Sequence, residues 1–502
     1  MKKFSNILLV TLCLCLLAGA NFAGASAYQG KHSGHGPGHS GSSHGEHTLP
    51  AQSHGSDRPS RNESWQFQPQ WQGSADQTPN QYFAPSAQEQ QEQMTQPPAK
   101  PGSSDSSTNT ENSNSRPSKP GENNDSYKSE RNGKPGGKPG SDSSSTEYSA
   151  ANTVTEDSSN ASYSSSADSE NAVLVSGKTV TITDATVNKT GSSSGDSADF
   201  YGINAAVLAK DGSTLTISGT TVTTDGSHAN GVFSYGNGTT VNVSDTTITT
   251  SGNNSGGLMI TGGAALNASN LNVSTTGNSS AAIRSDRGGG TVNVSGGTYS
   301  SAGVGSPAIY STADITVSNA TLSSAVSEAV VIEGGNSVTL NNVDITGSNS
   351  RKNGQSTVST NVLIYQSMSG DAAEGNSTFT MSGGTMTSQT GAMFHVTNVT
   401  TEINLSGVSF NYSSDSNVFL DASADAWGTS GKNGGNVTLN LNDQTISGAI
   451  LQDNTSSVAV NLSGTSTWTL QGDSFITSFS GDLANVNLNG YTLYINGVAY
   501  NG

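Results

Sequence analysis

The chain has 502 residues, a formal net charge of -18 and a sequence pI near 4.6, with only 12% charged residues. That mild, dispersed acidity excludes nucleic acid and anionic membrane surfaces as electrostatic partners and reads as the solubility of a secreted surface. Both cysteines, Cys13 and Cys15, lie in the N-terminal apolar run, so the rest of the chain has no disulfides and draws its stability from a core or from repetition.

Lys2 and Lys3 precede an apolar stretch from Ile7 to Ala18, and small residues follow at Ala25-Ser26-Ala27. This is the order of a secretory signal peptide, residues 1–27, cleaved before Tyr28. The apolar run is short for a membrane span, and no second transmembrane segment follows signal removal. The expected location is therefore extracellular or on the cell envelope.

Residues 28–168 are rich in Ser, Gly, Asn, Gln, Pro and His, hold all but one of the prolines, and lack apolar clustering. A long disordered, mixed-charge stalk is the expectation. From residue 169 the composition changes and a pattern recurs: TLTISGTTVTT from Thr214, TVNVSDTTITT from Thr240, TVNVSGGTYSS from Thr291, DITVSNATLSS from Asp314, TFTMSGGTMTS from Thr378 and EINLSGVSFNY from Glu402. Each copy reads as two short strands joined by a turn. A third strand precedes each, as in AAVLAKDG from Ala205, GVFSYGNG from Gly231, AAIRSDRG from Ala281 and PAIYSTAD from Pro307.

The apolar residues Leu215, Val241, Leu266, Val292, Ile315 and Val338 recur every 23 to 26 positions, the period of a solenoid with one repeat per coil. The fold class expected over residues 169–502 is all-β, a right-handed parallel β-helix of about ten coils, roughly 50 Å long at the inter-strand spacing. Insertions near Gly191–Asp199, Arg351–Thr357, Gly370–Ser377 and Ala422–Gly435 are expected to project from the coil edges.

The coil length and the Val-x-Val-Ser-Gly/Asn-x-Thr-Val grammar resemble the pectin-lyase-like parallel β-helices, a class that includes autotransporter passenger domains and adhesins. The segment VNLSGTSTWTLQGDSFITSF from Val460, with ANVNLNGYTLYING after it, resembles the passenger C-terminal cap, placed from about residue 456 with Trp468 inside it. The family's translocator barrel is not among the residues up to Gly502, a departure from the family pattern that leaves the mode of surface retention open. The resemblance implies architecture first and function only loosely.

Candidate chemistry is sparse. His32, His35, His39, His44, His47 and His54 could offer imidazoles to Zn²⁺, Ni²⁺ or Cu²⁺, but Gly and Ser between them fix no geometry, and a solvated tract with weak metal affinity is the simpler expectation. Trp65, Phe67, Trp71, Tyr82 and Phe83 could form a docking motif within the stalk. Within the coils, Arg284, Asp286 and Arg287 form the best charged group, with Glu328 and Glu333 about two coils later, and the bland expectation is a surface ion-pair network. His228 and His395 have no carboxylate beside them in sequence. Asp421, Asp425 and Trp427 lie in an insertion where acids could bind Ca²⁺ or an aromatic could stack on a sugar, and an ordinary exposed loop is the alternative. Thr-x-Thr pairs such as Thr221/Thr223, Thr247/Thr249 and Thr385/Thr387 could form an ice-binding array, although Asn272 and Asp344 interrupt it and Thr simply suits strands.

The sequence therefore predicts a secreted, adhesin-like β-helix that binds a glycan or protein surface ligand through its sheets and edge loops, with no cofactor and no catalytic residue. A polysaccharide lyase or hydrolase on the same fold is the first alternative, and a structural spacer the second.

Overall fold

A computed structural model describes residues 146–352, 356–500 and 502. The proposed signal peptide, the histidine tract from His32 to His54 and the aromatic group from Trp65 to Phe83 lie outside the described residues.

One coil shows how the sequence makes the fold. Val207–Lys210 is followed by Thr214–Ser218 and Thr221–Thr224, and then the chain turns and begins again at Val232–Tyr235. The three strands pair in parallel with their counterparts one coil away, so Leu215 stacks on Val241 and Val222 on Ile248. The resulting fold is an all-β parallel β-helix. Its first strands per coil form an 11-stranded parallel sheet from Val173–Ser176 to Ala449–Leu451. The second and third strands merge into a 19-stranded network, because strands such as Ala264–Thr275 run through the corner between them.

The period of two along each strand sends alternate side chains inward. Leu215, Val241, Leu266, Val292, Ile315 and Val338 form one continuous buried column in register. Each such side chain contributes about 1.5–3 kcal/mol by leaving water, and only stacking removes it from water on both sides.

The Ser-Gly/Asp/Asn step in the repeat has a specific backbone cause. Asp184, Gly219, Asp245, Asn270, Gly296, Asn319 and Asn342 all occupy the left-handed region, with φ between 48° and 71°. This single residue turns the corner between the second and third strands, and Gly, Asn and Asp are the types that tolerate it. A second repeated feature closes the turn back to the first sheet. A Cβ on Gly226, Gly252, Gly277 or Gly303 would lie 1.8–2.1 Å from the carbonyl oxygen of the corresponding glycine one coil earlier, so these backbones touch directly. Ser255, Ser280 and Ser306 then form a buried ladder, each hydroxyl accepting from the backbone N–H of the coil before it at 2.9 Å.

Two boundaries differ from expectation. The coils begin before residue 169: Ser149 pairs with Glu170, Ser158 with Ile182 and Ser162 with Thr186. This partial coil offers mainly Val154 and Tyr163 to the core, too few apolar residues to register as a strand pattern in sequence. At the other end Ser457–Ser463 and Ser478–Ser480 still pair in the long sheet, while a small three-stranded sheet already begins at Thr445–Ser447, and the chain closes with the antiparallel pair Leu493–Ile495 and Val498–Tyr500. Trp468 is fully buried there and donates its indole N–H to the Gly448 carbonyl at 2.9 Å.

Candidate functional site

The outward face of the 11-stranded sheet carries a column in strict register: Leu174, Leu208, Phe233, Met259, Arg284, Tyr310, Val331, Leu363, His395 and Asp421. An outward apolar column needs a cover, and the insertions supply it. They fold over the sheet face, where the sequence suggested that they project from the edges. The insertion after Gly191 forms a short helix, Asp196–Tyr201, whose C-capping Gly202 sits directly against Leu208 and Phe233. Farther along, Trp427 from the last insertion covers Val331 and Leu363 together with Tyr365, which ends the strand Thr360–Tyr365, the two rings lying 4.4 Å apart.

Between these two covered patches the column turns polar at Arg284 and Tyr310. The Arg284 guanidinium donates to Asp286 Oδ2 at 2.8 and 3.2 Å and to the Ser279 carbonyl at 3.1 Å. Side-chain exposures of 16% and 4% make this a largely buried pair, where the sequence suggested a surface network. Burial pushes the Asp286 carboxyl above its ordinary value despite the guanidinium beside it. Arg287 points the other way. It donates to Asp371 at 2.6 Å and Asp196 at 3.0 Å, tying the helix insertion to the one around residue 371, and its guanidinium lies 3.8 Å from the Phe200 ring.

Glu333 is 1% exposed and is the hub of the neighbouring network. It accepts hydrogen bonds from the hydroxyls of Tyr310, Tyr365, Ser367 and Ser369, the Tyr365 contact at 3.0 Å. Burial, and the carboxylate after it, hold both tyrosine hydroxyls well above their usual pKa, so they stay neutral donors. Glu328 belongs elsewhere, bound to Ser327 at 2.6 Å and Asn349 at 3.1 Å. The Arg284, Tyr310 and Tyr365 side chains floor a cleft of about 210 Å³, walled by Ser279, Ala281, Gly305 and Pro307 from the turns that enter the sheet.

The structure separates the remaining candidates. Trp427 is buried on Tyr365, so it is not an exposed stacking platform. Asp421 accepts from Ser423 N–H at 2.9 Å, while the Asp425 side chain is 1% exposed and accepts from Ser356 Oγ at 2.8 Å and Thr357 Oγ1 at 2.8 Å. The two acids thus serve different partners and do not form one cation site. Neither is on an ordinary exposed loop: Asp421 ends the sheet strand Val418–Asp421, and the insertion that carries Asp425 wraps back onto the sheet. Among the described residues no group of three or more His, Cys, Asp and Glu is arranged to hold a metal ion.

His395 is fully buried between those acids: its Nδ1 lies 3.0 Å from the Asp421 carbonyl, which can only accept, and its Nε2 is 3.3 Å from Asp425. Burial alone would raise the Asp425 carboxyl, but His395, Ser356 and Thr357 outweigh it and hold the group well below the usual range. His228 likewise gains a carboxylate from far along the chain, Asp199 at 2.6 Å. The Thr columns include their irregular members in register, running Thr221, Thr247, Asn272, Thr298, Thr321, Asp344 and Thr385.

Tyr310, Tyr365, Asp196 and Asp371 were not among the residues singled out from sequence. A usable signal existed for Tyr310: in the aligned third-strand segments it occupies the place of Leu208, Phe233 and Met259. No protein-family model matches the chain, and no curated protein or solved structure is a significant match to it.

Proposed function

We propose that this protein is a secreted, adhesin-like β-helix that binds a glycan in the Tyr310 cleft. The observation that carries the reading is the make-up of the cleft: the Tyr310 and Tyr365 side chains lie beside the Arg284 guanidinium, which is itself fixed by Asp286 and the Ser279 carbonyl. Aromatic faces with a few fixed polar groups are the usual means of recognising sugars. The signal-like N-terminus and the β-helical coils support display outside the cell, in the manner of pectin-lyase-like and autotransporter passenger proteins.

Binding is favoured over cleavage because the nearby acids are engaged. Glu333 accepts four hydroxyl hydrogen bonds, and Asp286 is held by Arg284. One observation favours the second reading, a carbohydrate-active enzyme: the raised Asp286 carboxyl is a group of the kind a general acid requires. A glycan array and a polysaccharide-degradation screen of the full-length protein separate the two. Retention of a glycan without product release is expected, and released product would replace the binding reading with the enzymatic one.

A further inference from the structure

A second groove lies on the same edge of the solenoid. It measures about 270 Å³ and is lined by Tyr412, Ser413, Ser416, Asn417, Ser447, Gly448 and Gln471. Those residues sit in the turns that enter Val418–Asp421 and Ala449–Leu451 and in the next coil. Ser279, Gly305 and Pro307 of the Tyr310 cleft occupy the equivalent turns before Ile283–Ser285 and Ile309–Ser311. From Ile309–Ser311 the register passes through strands beginning at Val330, Thr360 and Ala392 to Val418, which is four coil steps. At the spacing of hydrogen-bonded strands the two sites are about 19 Å apart along the axis.

The groove has the chemistry of a sugar subsite. Tyr412 is 39% exposed, one of the few large exposed apolar side chains among the described residues. Its ring is held in place by stacking on Phe410, 5.8 Å between centroids at 28°, and by the Ser447 backbone N–H, which donates to the phenolic oxygen at 2.8 Å. The wall beside it presents amides and hydroxyls already oriented by one another: Asn417 donates to the Gln471 carbonyl at 2.7 Å and Gln471 to Ser447 Oγ at 2.9 Å. No charged side chain lines it. Asp415 in the same turn is occupied by Gly391 N–H at 2.8 Å and by Ser413. A fixed aromatic ring with a neutral polar rim suits the apolar face and hydroxyl edge of an uncharged sugar ring, and nothing in it compensates a carboxylate or an amine.

We infer that the Tyr412 groove is a second subsite for the ligand of the Tyr310 cleft, so that the ligand is an extended, uncharged oligosaccharide lying along one edge of the coils. The inference rests on the glycan reading of the Tyr310 cleft. Between the two sites Ser356 and Thr357 turn toward the sheet face, where they bind Asp425.

The test is a length series. Linear gluco- and manno-oligosaccharides, from disaccharides upward, with oligogalacturonates as the charged comparison, are titrated into the full-length protein and its variants. Affinity is expected to rise with length for the neutral series. Tyr412→Ala is expected to remove that gain, a loss of about tenfold for the longest oligomers with the disaccharide unchanged. Tyr412→Phe keeps the ring and the gain. Gln471→Ala, which removes a wall amide without touching the ring, gives a smaller length-dependent loss and serves if the alanine variant does not fold. Long-oligomer affinity that survives both Tyr412→Ala and Gln471→Ala, or oligogalacturonates that show the same Tyr412-dependent gain, overturns the inference while leaving the Tyr310 reading intact. Failure of every oligosaccharide to bind overturns both.

Discussion

Asp425 shows how one side chain sets the response of the coils to acid. Its folded value lies below the ordinary one of about 3.9, so the stabilisation it gives is fully present above that value and is lost as pH falls below it. Asp425→Ala is expected to lower stability by about 2–4 kcal/mol at neutral pH, leaving Nε2 of the buried His395 and the hydroxyls of Ser356 and Thr357 without their partner, and to flatten the acid limb of the urea midpoint plotted against pH. A variant with an unchanged acid limb would show that Asp425 is not the responsible group. At Gly252 the constraint is steric: a Cβ would stand 1.9 Å from the Gly226 carbonyl oxygen, and Gly252→Ala is expected to cost at least about 3 kcal/mol, read as a lowered melting temperature. The corner residues were legible because Gly, Asp and Asn recur at one place in each repeat. The His395–Asp425 contact was not, because thirty residues and a folded-back insertion separate the two. Lys189 was equally hidden: it is fully buried, its ammonium donating to the carbonyls of Ala167 and Gly191 at 2.8 Å each, and nothing in the sequence marks it as different from a surface lysine.

Among the elements, the insertions matter more than their length suggests. Their positions could be read from breaks in the period, but their direction could not, since it follows from the outward apolar column that they cover. Phe200 of the helix insertion is 8% exposed, its ring beneath the Arg287 guanidinium and its carbonyl accepting from Thr261 Oγ1 at 2.7 Å. Phe200→Ala is expected to cost about 3 kcal/mol, measured as a fall in melting temperature. Arg287→Ala should behave differently. Its side chain is 43% exposed, so the pairs with Asp196 and Asp371 add under about 1 kcal/mol to stability and their loss should leave the melting temperature nearly unchanged. Equal effects of the two substitutions on melting temperature would contradict this division.

For the whole described solenoid, the core of each coil stacks on its neighbours, with the insertions adding longer ties such as Arg287–Asp371, so stability propagates along the axis and the ends matter. Trp468 plugs the C-terminal end, which makes Trp468→Ala, expected to cost about 3–5 kcal/mol, a test of whether the cap protects the coils from unzipping. The parallel solenoid was legible from period and grammar, and its first coil was not, because Ser149–Ser165 carries strand pairing with little apolar content. The cleft was half legible: Arg284, Asp286, Arg287 and Glu333 were visible as charged residues, while Tyr310, which bonds Glu333, and Asp371, which bonds Arg287, come from other coils and were not. The central claim is that this cleft binds a glycan and leaves it intact. Its most direct test is titration of an array-selected glycan into wild-type protein and Tyr310→Ala, with the products analysed. The account predicts saturable binding without cleavage by the wild type, lost in the variant at a temperature where it is still folded, although removal of the Glu333 contact lowers its melting temperature. Binding indifferent to Tyr310, or a glycan released as shorter fragments, would contradict it.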